Sequence, residues 1–318
     1  MTLPLSAPRI GVIVLNWNGA DDTLACLESL RLAKPTAERV VVVDNASADD
    51  SVARIRDWSQ RNAMRVDIVV APENLGFSGG NNLGLELLAR DAAITHFLLL
   101  NNDATVAGDF FGEMNRALAA APGAGLLTGT IYEHASPEKV WYAGGREIRY
   151  RALIEHFHSP PAGATPEVTE FVSGCVMLIS REAMKSVGPL PDCYFPGYME
   201  DAEYSLRTRA AQLPVLYAPR VRAFHKIGAT AGPASASPFM TRAQVRHRVF
   251  YVRRNFRGVE RVVALTYLAL TKPGKAVVET LSGRPRMGLA VLRGALEGFV
   301  SPCQGISGRS SPSLRSGG

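Results

Sequence analysis

The chain has 318 residues, 47% of them hydrophobic and 20% charged, with a formal net charge of +6. This is an ordinary globular composition, long enough for a substantial core in one large domain or two. Cys26, Cys175, Cys193 and Cys303 lack CxxC spacing, which argues against a disulfide framework or zinc site and fits a reducing compartment, and no apolar run approaches the ~18 residues needed to span a bilayer.

In chain order, the β-branched run Ile10 to Leu15 predicts a strand, too short for a signal peptide. Asp21 and Asp22 can cap a helix carrying Leu24, Leu27 and Leu30 on one face. Four valines, Val40 to Val43, mark a strand buried on both sides. A helix carrying Val52, Ile55 and Trp58 follows, then a strand at Ile68 to Val70, a helix from Asn82 to Arg90 and a strand at Phe97 to Leu100. Asp109 can cap the next helix, which runs to Ala120. This rhythm predicts a mostly parallel sheet with helices on both faces.

The second half is more mixed. Gly125 to Tyr132, Glu147 to Phe157 and Phe171 to Ile179 read as strands, the middle one in a hairpin or flap. Ser180 caps a short helix from Arg181 to Val187, which Gly188 and Pro189 stop. A helix from Glu200 to Ala211 and a strand from Val215 to Phe224 come next. Gly228 to Ser237 reads as a mobile segment, residues from Arg242 as a basic helical region, and Ser301 to Gly318 as a disordered tail.

Charge is unevenly spread. Residues 242–318 carry 14 Lys and Arg against 3 acids, a net +11, so residues 1–241 carry −5. A basic tail on an acidic body points to an anionic partner: a membrane surface, a polyanionic glycan or nucleic acid. Arg246, Arg253, Arg254 and Arg257 interleave with Val249, Phe250, Val252 and Phe256, the pattern of a basic amphipathic helix lying on anionic lipid. The alternative is a solvated helical face.

Ligands of open parallel sheets bind beyond the carboxyl ends of the strands. Asn16 and Asn18 follow the first strand, Asp44 and Asn45 the second, and Asn101, Asn102 and Asp103 the fourth. Turn chemistry explains any of them singly. In ENLGFSGGNNLG, Glu73 to Gly84, the glycines Gly76, Gly79 and Gly80 permit close backbone approach to a ligand ahead of a helix N-terminus. A tight helix–sheet contact is the alternative. Asp103 suits a hard divalent cation. Glu200 and Asp201 open a helix, where acids also complement the dipole, and His225 ends a strand. Gathered in one cleft, these groups can handle a metal-bound diphosphate and take a proton from a hydroxyl.

Seven stretches in order, VIVLNWNG (12–19), VVVDNASADDS (41–51), ENLGFSGGNNLGL (73–85), LLLNNDATV (98–106), SGCVMLISREAMKSVGPL (173–190), YMEDAEYSLR (198–207) and YAPRVRAFH (217–225), resemble glycosyltransferase family 2, and within it the rhamnosyltransferase-like bacterial branch. The resemblance covers roughly residues 9 to 227. It implies a GT-A fold: a catalytic domain over 1–240, with a donor half at about 9–125 and an acceptor half at about 126–240, then a basic helical extension over 241–300.

It further implies an inverting transferase that moves a sugar from a nucleoside-diphosphate donor, dTDP-rhamnose first and a UDP-sugar second, to a glycan or lipid-linked hydroxyl in cell-surface polysaccharide synthesis. Asp201 would be the general base, with Glu200 supporting it or binding acceptor. Asn16, Asp44, Asn45, Gly79, Gly80, Asn82, Asn102 and Asp103 would line the donor site, and Asp103 and His225 would meet Mg2+ or Mn2+. The implied location is cytoplasmic, at the inner membrane face, with no nucleic-acid partner. Asn101 replaces the first acid of the family's DxD-type motif, and Asn81 stands where many relatives have Arg. A nucleotidyltransferase would need a second acid near Asp103 and a basic phosphate loop, and neither is present. A non-catalytic sugar-nucleotide module would lack Asp201.

Overall fold

The computed structural model describes residues 7–62, 64–226 and 237–303. Its centre is a ten-stranded mixed sheet. The strands are β1 (Ile10–Asn16), β2 (Arg39–Asp44), β3 (Val66–Val70), β4 (His96–Asn101), β5 (Ala104–Val106), β6 (Leu126–Glu133), β7 (Ser136–Tyr142), β10 (Glu167–Val168), β11 (Val176–Ser180) and β12 (Val215–His225). The main path runs β10-β12-β6-β11-β4-β1-β2-β3, with β5 on β12 and β7 on β6. β1 pairs in parallel with β2 and β4, and β2 with β3. β11 is antiparallel to both β4 and β6. A separate hairpin joins β8 (Gly145–Ile148) and β9 (Leu153–His156).

Helices α1 (Ala20–Leu32), α2 (Ser51–Arg61), α3 (Gly76–Ala89), α4 (Phe110–Ala120), α5 (Arg181–Val187) and α6 (Glu200–Ala210) cover the sheet. One core layer holds Val12, Val14, Val40, Val42 and Leu98; the other holds Ile13, Val41, Val43, Leu85 and Leu99. The valine run therefore feeds both faces by strand alternation. Three helices follow: α7 (Pro238–Asn255), α8 (Gly258–Leu281) and α9 (Pro285–Val300).

Several local expectations change. α3 starts six residues before the expected Asn82, so most of the glycine-rich stretch is helix. Glycine costs helix stability locally, but here it allows close packing on the sheet. A methyl group on Gly84 would sit 2.6 Å from Ile13, and one on Gly80 would overlap Leu15. What comes close to this backbone is protein rather than open space.

Asp21, Asp22 and Asp109 do not cap through their side chains; Asp109 instead accepts from Arg222. Ser180 does cap α5, its Oγ accepting from the Ala183 N–H at 3.0 Å. The strand expected from Phe171 begins only at Val176. Residues 227–236 and 304–318 lie outside the described residues, and with them nearly all of the segment read as mobile and most of the tail read as disordered.

The apolar face expected to lie on lipid over residues 246–257 is packed into the protein, while Arg254 and Arg257 stay exposed. Val249, Phe250, Val252 and Phe256 are buried. Arg253 donates to the carbonyls of Gly298 and Ser301, Arg254 to Glu203, and Arg246 to the Phe195 carbonyl. These cations hold α7 in the body.

Candidate active site

The carboxyl ends of β1, β2 and β4 carry one continuous polar network. Register places Asn16 beside Asp44. Asn16 Nδ2 donates to Asp44 Oδ1 at 2.7 Å and to Ser47 Oγ at 3.1 Å. Thr23 donates to Asn16 Oδ1 at 2.7 Å, and Asn102 Nδ2 donates to Thr23 at 3.2 Å. Ser47 donates to both Asp44 oxygens, through Oγ at 2.7 Å and N–H at 3.0 Å.

Asp44 is 1% exposed, so it forms the floor of this end of the sheet. A carboxylate offers about four acceptor positions, and three are filled here by Asn16 and Ser47. One on Oδ2 remains. Above this floor stand the exposed Trp17 and Asn18, the latter with φ +49°.

Asn45 braces the entry to α3. It accepts from the Leu75 N–H and donates to Asn74 and the Gly76 carbonyl. Gly76 N–H donates to Asn74 Oδ1, and Phe77 N–H to the Pro196 carbonyl. The first two N–H groups of α3 are thus used inside the protein. Gly79 abuts Leu75. Asn82 clamps Leu190, donating to its carbonyl at 2.9 Å and accepting from its N–H at 3.0 Å. Gly79, Gly80 and Asn82 thus pack or bond against Leu75, Leu15 and Leu190.

Asp103 sits in the turn between β4 and β5, 4% exposed. Its Oδ1 lies 3.1 Å from His225 Nε2, because β12 pairs antiparallel with β5 and brings His225 opposite Ala104. The Trp141 ring lies 5.0 Å from the His225 ring. Lys226 follows, its N–H bonded to the Asp103 carbonyl and its Nζ 2.6 Å from Asp22.

Among the described residues no group of three or more His, Cys, Asp or Glu side chains could hold a metal ion. The Asp103–His225 pair fits a divalent cation that takes its other ligands from a diphosphate and water, as Mg2+ commonly does. It does not fit an all-protein cage.

Asp201 stands in the first turn of α6, half-buried. Its Oδ2 accepts from the Gly174 N–H at 3.1 Å and its Oδ1 from the Ala202 N–H at 2.8 Å. Gly174 gives its N–H to Asp201 instead of a strand ladder, which is why β11 starts late. The next residue, Cys175, accepts from the Asn101 N–H at 3.0 Å. Residues 173–175 thus tie Asp201 to the end of β4, two residues before Asp103. Tyr142 lies on the same side, its pKa raised by burial and by the charge of Asp201.

Glu200 is 5% exposed, and its Oε2 has no hydrogen bond among the described residues. Burial, then the Asp201 charge, pushes Glu200 up to about 8. Burial also raises Asp201, against the three backbone N–H groups that favour its anion. The pair therefore resists a second negative charge, which favours a neutral Glu200 beside Asp201.

The chain enters α6 through Tyr198 and Met199, with φ +77° and +84°, a left-handed backbone that costs non-glycine residues free energy. α7 holds it there. His247 is hydrogen-bonded to the Gly197 carbonyl at 2.9 Å, and Arg246 donates to the Phe195 carbonyl at 3.0 Å. Glu203 of α6 accepts from Tyr194, from Arg254 at 3.0 and 2.9 Å, and from Asn255 at 2.9 Å. Sequence reasoning missed Thr23, Trp141, Lys226 and this α7 support, and assigned no role to Ser47 or Gly174 although both lie inside the matched stretches 41–51 and 173–190. The position of Lys226 beside His225 gave a further signal.

No curated protein sequence matches the chain. Among solved structures it is similar to GalNAc-T7 with UDP, GalNAc and Mn2+, at TM-score 0.61 and 14% identity, covering 70% of this chain and 44% of that one. It is similar to the mannosyltransferase PcManGT from Pyrobaculum calidifontis in complex with GDP-Man and Mn2+, at TM-score 0.60 and 17% identity, covering 93% and 88%. The S. aureus TarS fragment 1–349 aligns at TM-score 0.56 and 13% identity, covering 92% and 81%. The chain thus spans less than half of GalNAc-T7, and at these identities the likeness is one of fold, the GT-A glycosyltransferase fold. The sequence model of glycosyl transferase family 2 matches residues 11–188, more than half of the chain, and the chain belongs to that family.

Proposed function

We propose that this chain is an inverting glycosyltransferase with Asp201 as its general base. The observation that carries this reading is the Asp201 carboxylate, aimed by the Gly174 and Ala202 N–H groups and tied through residues 173–175 to the strand end that bears Asp103. The acceptor hydroxyl gives its proton to Asp201 as its oxygen bonds to the anomeric carbon. The bond from that carbon to the diphosphate breaks on the opposite side, so one displacement inverts the configuration. Positive charge develops on the sugar ring in the transition state. The protonated Glu200 can donate a hydrogen bond to acceptor.

Asp103 and His225 would hold Mg2+ or Mn2+, which when bound offsets charge gathering on the leaving diphosphate. Lys226, beside His225, is the cation we assign to the diphosphate in place of the Arg that Asn81 replaces. Asn16, Asp44, Asn45 and Asn102 shape the nucleotide end, with Asp44 Oδ2 free to accept one base N–H. The UDP and GDP-Man bound by similar folds support a nucleoside-diphosphate sugar as donor. dTDP-rhamnose is our first assignment and a UDP-sugar the second. The acceptor is a glycan or lipid-linked hydroxyl of cell-surface polysaccharide, met in the cytoplasm at the inner membrane face.

The test is a panel of nucleotide sugars with Mg2+ or Mn2+, scored by release of free nucleoside diphosphate and by thermal shift. Asp201→Asn should keep donor binding and lose at least ~100-fold in turnover. Near-normal turnover would remove Asp201 from the role.

A further inference from the structure

Apolar surface is concentrated at the C-terminal end of the described structure. On α8, Val259, Val262, Val263, Leu270 (74% exposed), Val277 and Leu281 (82%) lie within one face at about 100° per residue. The opposite face, Ala264, Leu268, Lys272 and Ala276, is buried. On α9, Leu289, Leu292, Leu296 and Val300 form a second exposed stripe. Its opposite face is built of Gly288, Val291, Gly294 and Gly298, pressed onto α8 and α7. Small residues thus face the body and large apolar residues face outward, the reverse of an ordinary surface helix.

The charges decide what covers this surface. Arg286 and Arg293 flank the α9 stripe and form no ion pair among the described residues. All three acids of the two helices are engaged: Glu260 by Arg149, Glu279 by Arg284, Glu297 by Arg242 and Arg246. The sequence after Val300 adds Arg309 and Arg315 and no acid. In a two-fold dimer the patch would meet itself, setting arginine against arginine with no free carboxylate between them. An anionic lipid leaflet supplies both an apolar layer and the missing negative charge. No helix among the described residues is long and apolar enough to cross a membrane, so these helices would lie on the surface.

We propose that the outward faces of α8 and α9 form a docking surface for an anionic lipid bilayer. The proposal deepens the membrane location in the reading above, yet its test is independent of any transfer activity. The full chain is sedimented with vesicles of phosphatidylcholine alone or mixed with phosphatidylglycerol, and its mass in solution is measured by analytical ultracentrifugation.

The expected result is binding to the mixed vesicles that weakens as salt rises from about 0.1 M to about 1 M, where the Debye length falls from about 10 Å to about 3 Å. Arg286→Glu with Arg293→Glu should weaken it at least about tenfold, since each cation near an anionic leaflet contributes about fivefold. Leu292→Asp with Leu296→Asp should remove it, with thermal melting unchanged in both variants. Absence of vesicle binding by a monomer overturns the proposal. So does binding that both variants leave intact. A dimer that Leu292→Asp with Leu296→Asp dissociates also overturns it, and gives the face to a second copy.

Discussion

The two sides of the proposed site are built differently. On the donor side, Asn16, Asp44, Asn102, Thr23 and Ser47 bond to one another across three adjacent parallel strands. Their placement follows from sheet register and short βα connections. On the acceptor side, the helix carrying Asp201 is held from outside its own unit. Arg254 and Asn255 grip Glu203 from about fifty residues away, and Arg246 and His247 hold the carbonyls of Phe195 and Gly197. The first half is positioned by the sheet itself. The other half leans on α7, so under the proposed reading the C-terminal helices would shape the acceptor side as well as following it.

The largest effect that would test this contrast is Arg254→Ala. It leaves the buried Glu203 carboxylate without its cation and should cost about 3 kcal/mol of stability, read by urea unfolding. If α7 positions α6, the acceptor KM should rise more than the donor KM. Equal changes in both would make Arg254 a general stability residue. Asp201→Asn comes next, with its ~100-fold loss in turnover and unchanged donor binding.

Gly80→Ala probes the donor side as packing. Overlap of the new methyl with Leu15 should cost about 1–3 kcal/mol. Unchanged stability with weakened donor binding would return Gly80 to the ligand. The smallest effect is expected from Glu200→Gln, which mimics the protonated acid and should keep neutral-pH turnover within a few-fold. Its stability signature has a definite sign. The folded pKa is raised to about 8, so ionising Glu200 penalises the fold as pH climbs from the ordinary carboxylate range through 8. The variant should therefore melt higher than the native chain at pH 8–9 and match it near pH 4.

Much of the frame was legible because its signals are local. The Val40–Val43 run needs two covered faces wherever it lies, and Ser180 with Gly188 bounds α5 by capping chemistry alone. The family motifs were legible as well, in order along the chain. The glycine-rich stretch misled because its reward is distant: Gly80 and Gly84 make α3 favourable only once Leu15 and Ile13 lie beneath them. β7 was missed because Ser136, Pro137, Glu138 and Lys139 carry no apolar alternation, and an edge strand tolerates such residues.

The sequence by itself determined the main strands of the sheet, that most run parallel, and that acids and amides gather at their carboxyl ends, since hydrophobic period and capping act within a few residues. The tertiary structure alone decided that His225 meets Asp103, that Gly174 aims Asp201, and that the apolar residues of α7 turn inward while apolar residues of α8 and α9 turn outward. Those outcomes depend on which surfaces come to face each other, and a pattern of apolar and charged residues fixes the spacing of a face without fixing what it is packed against.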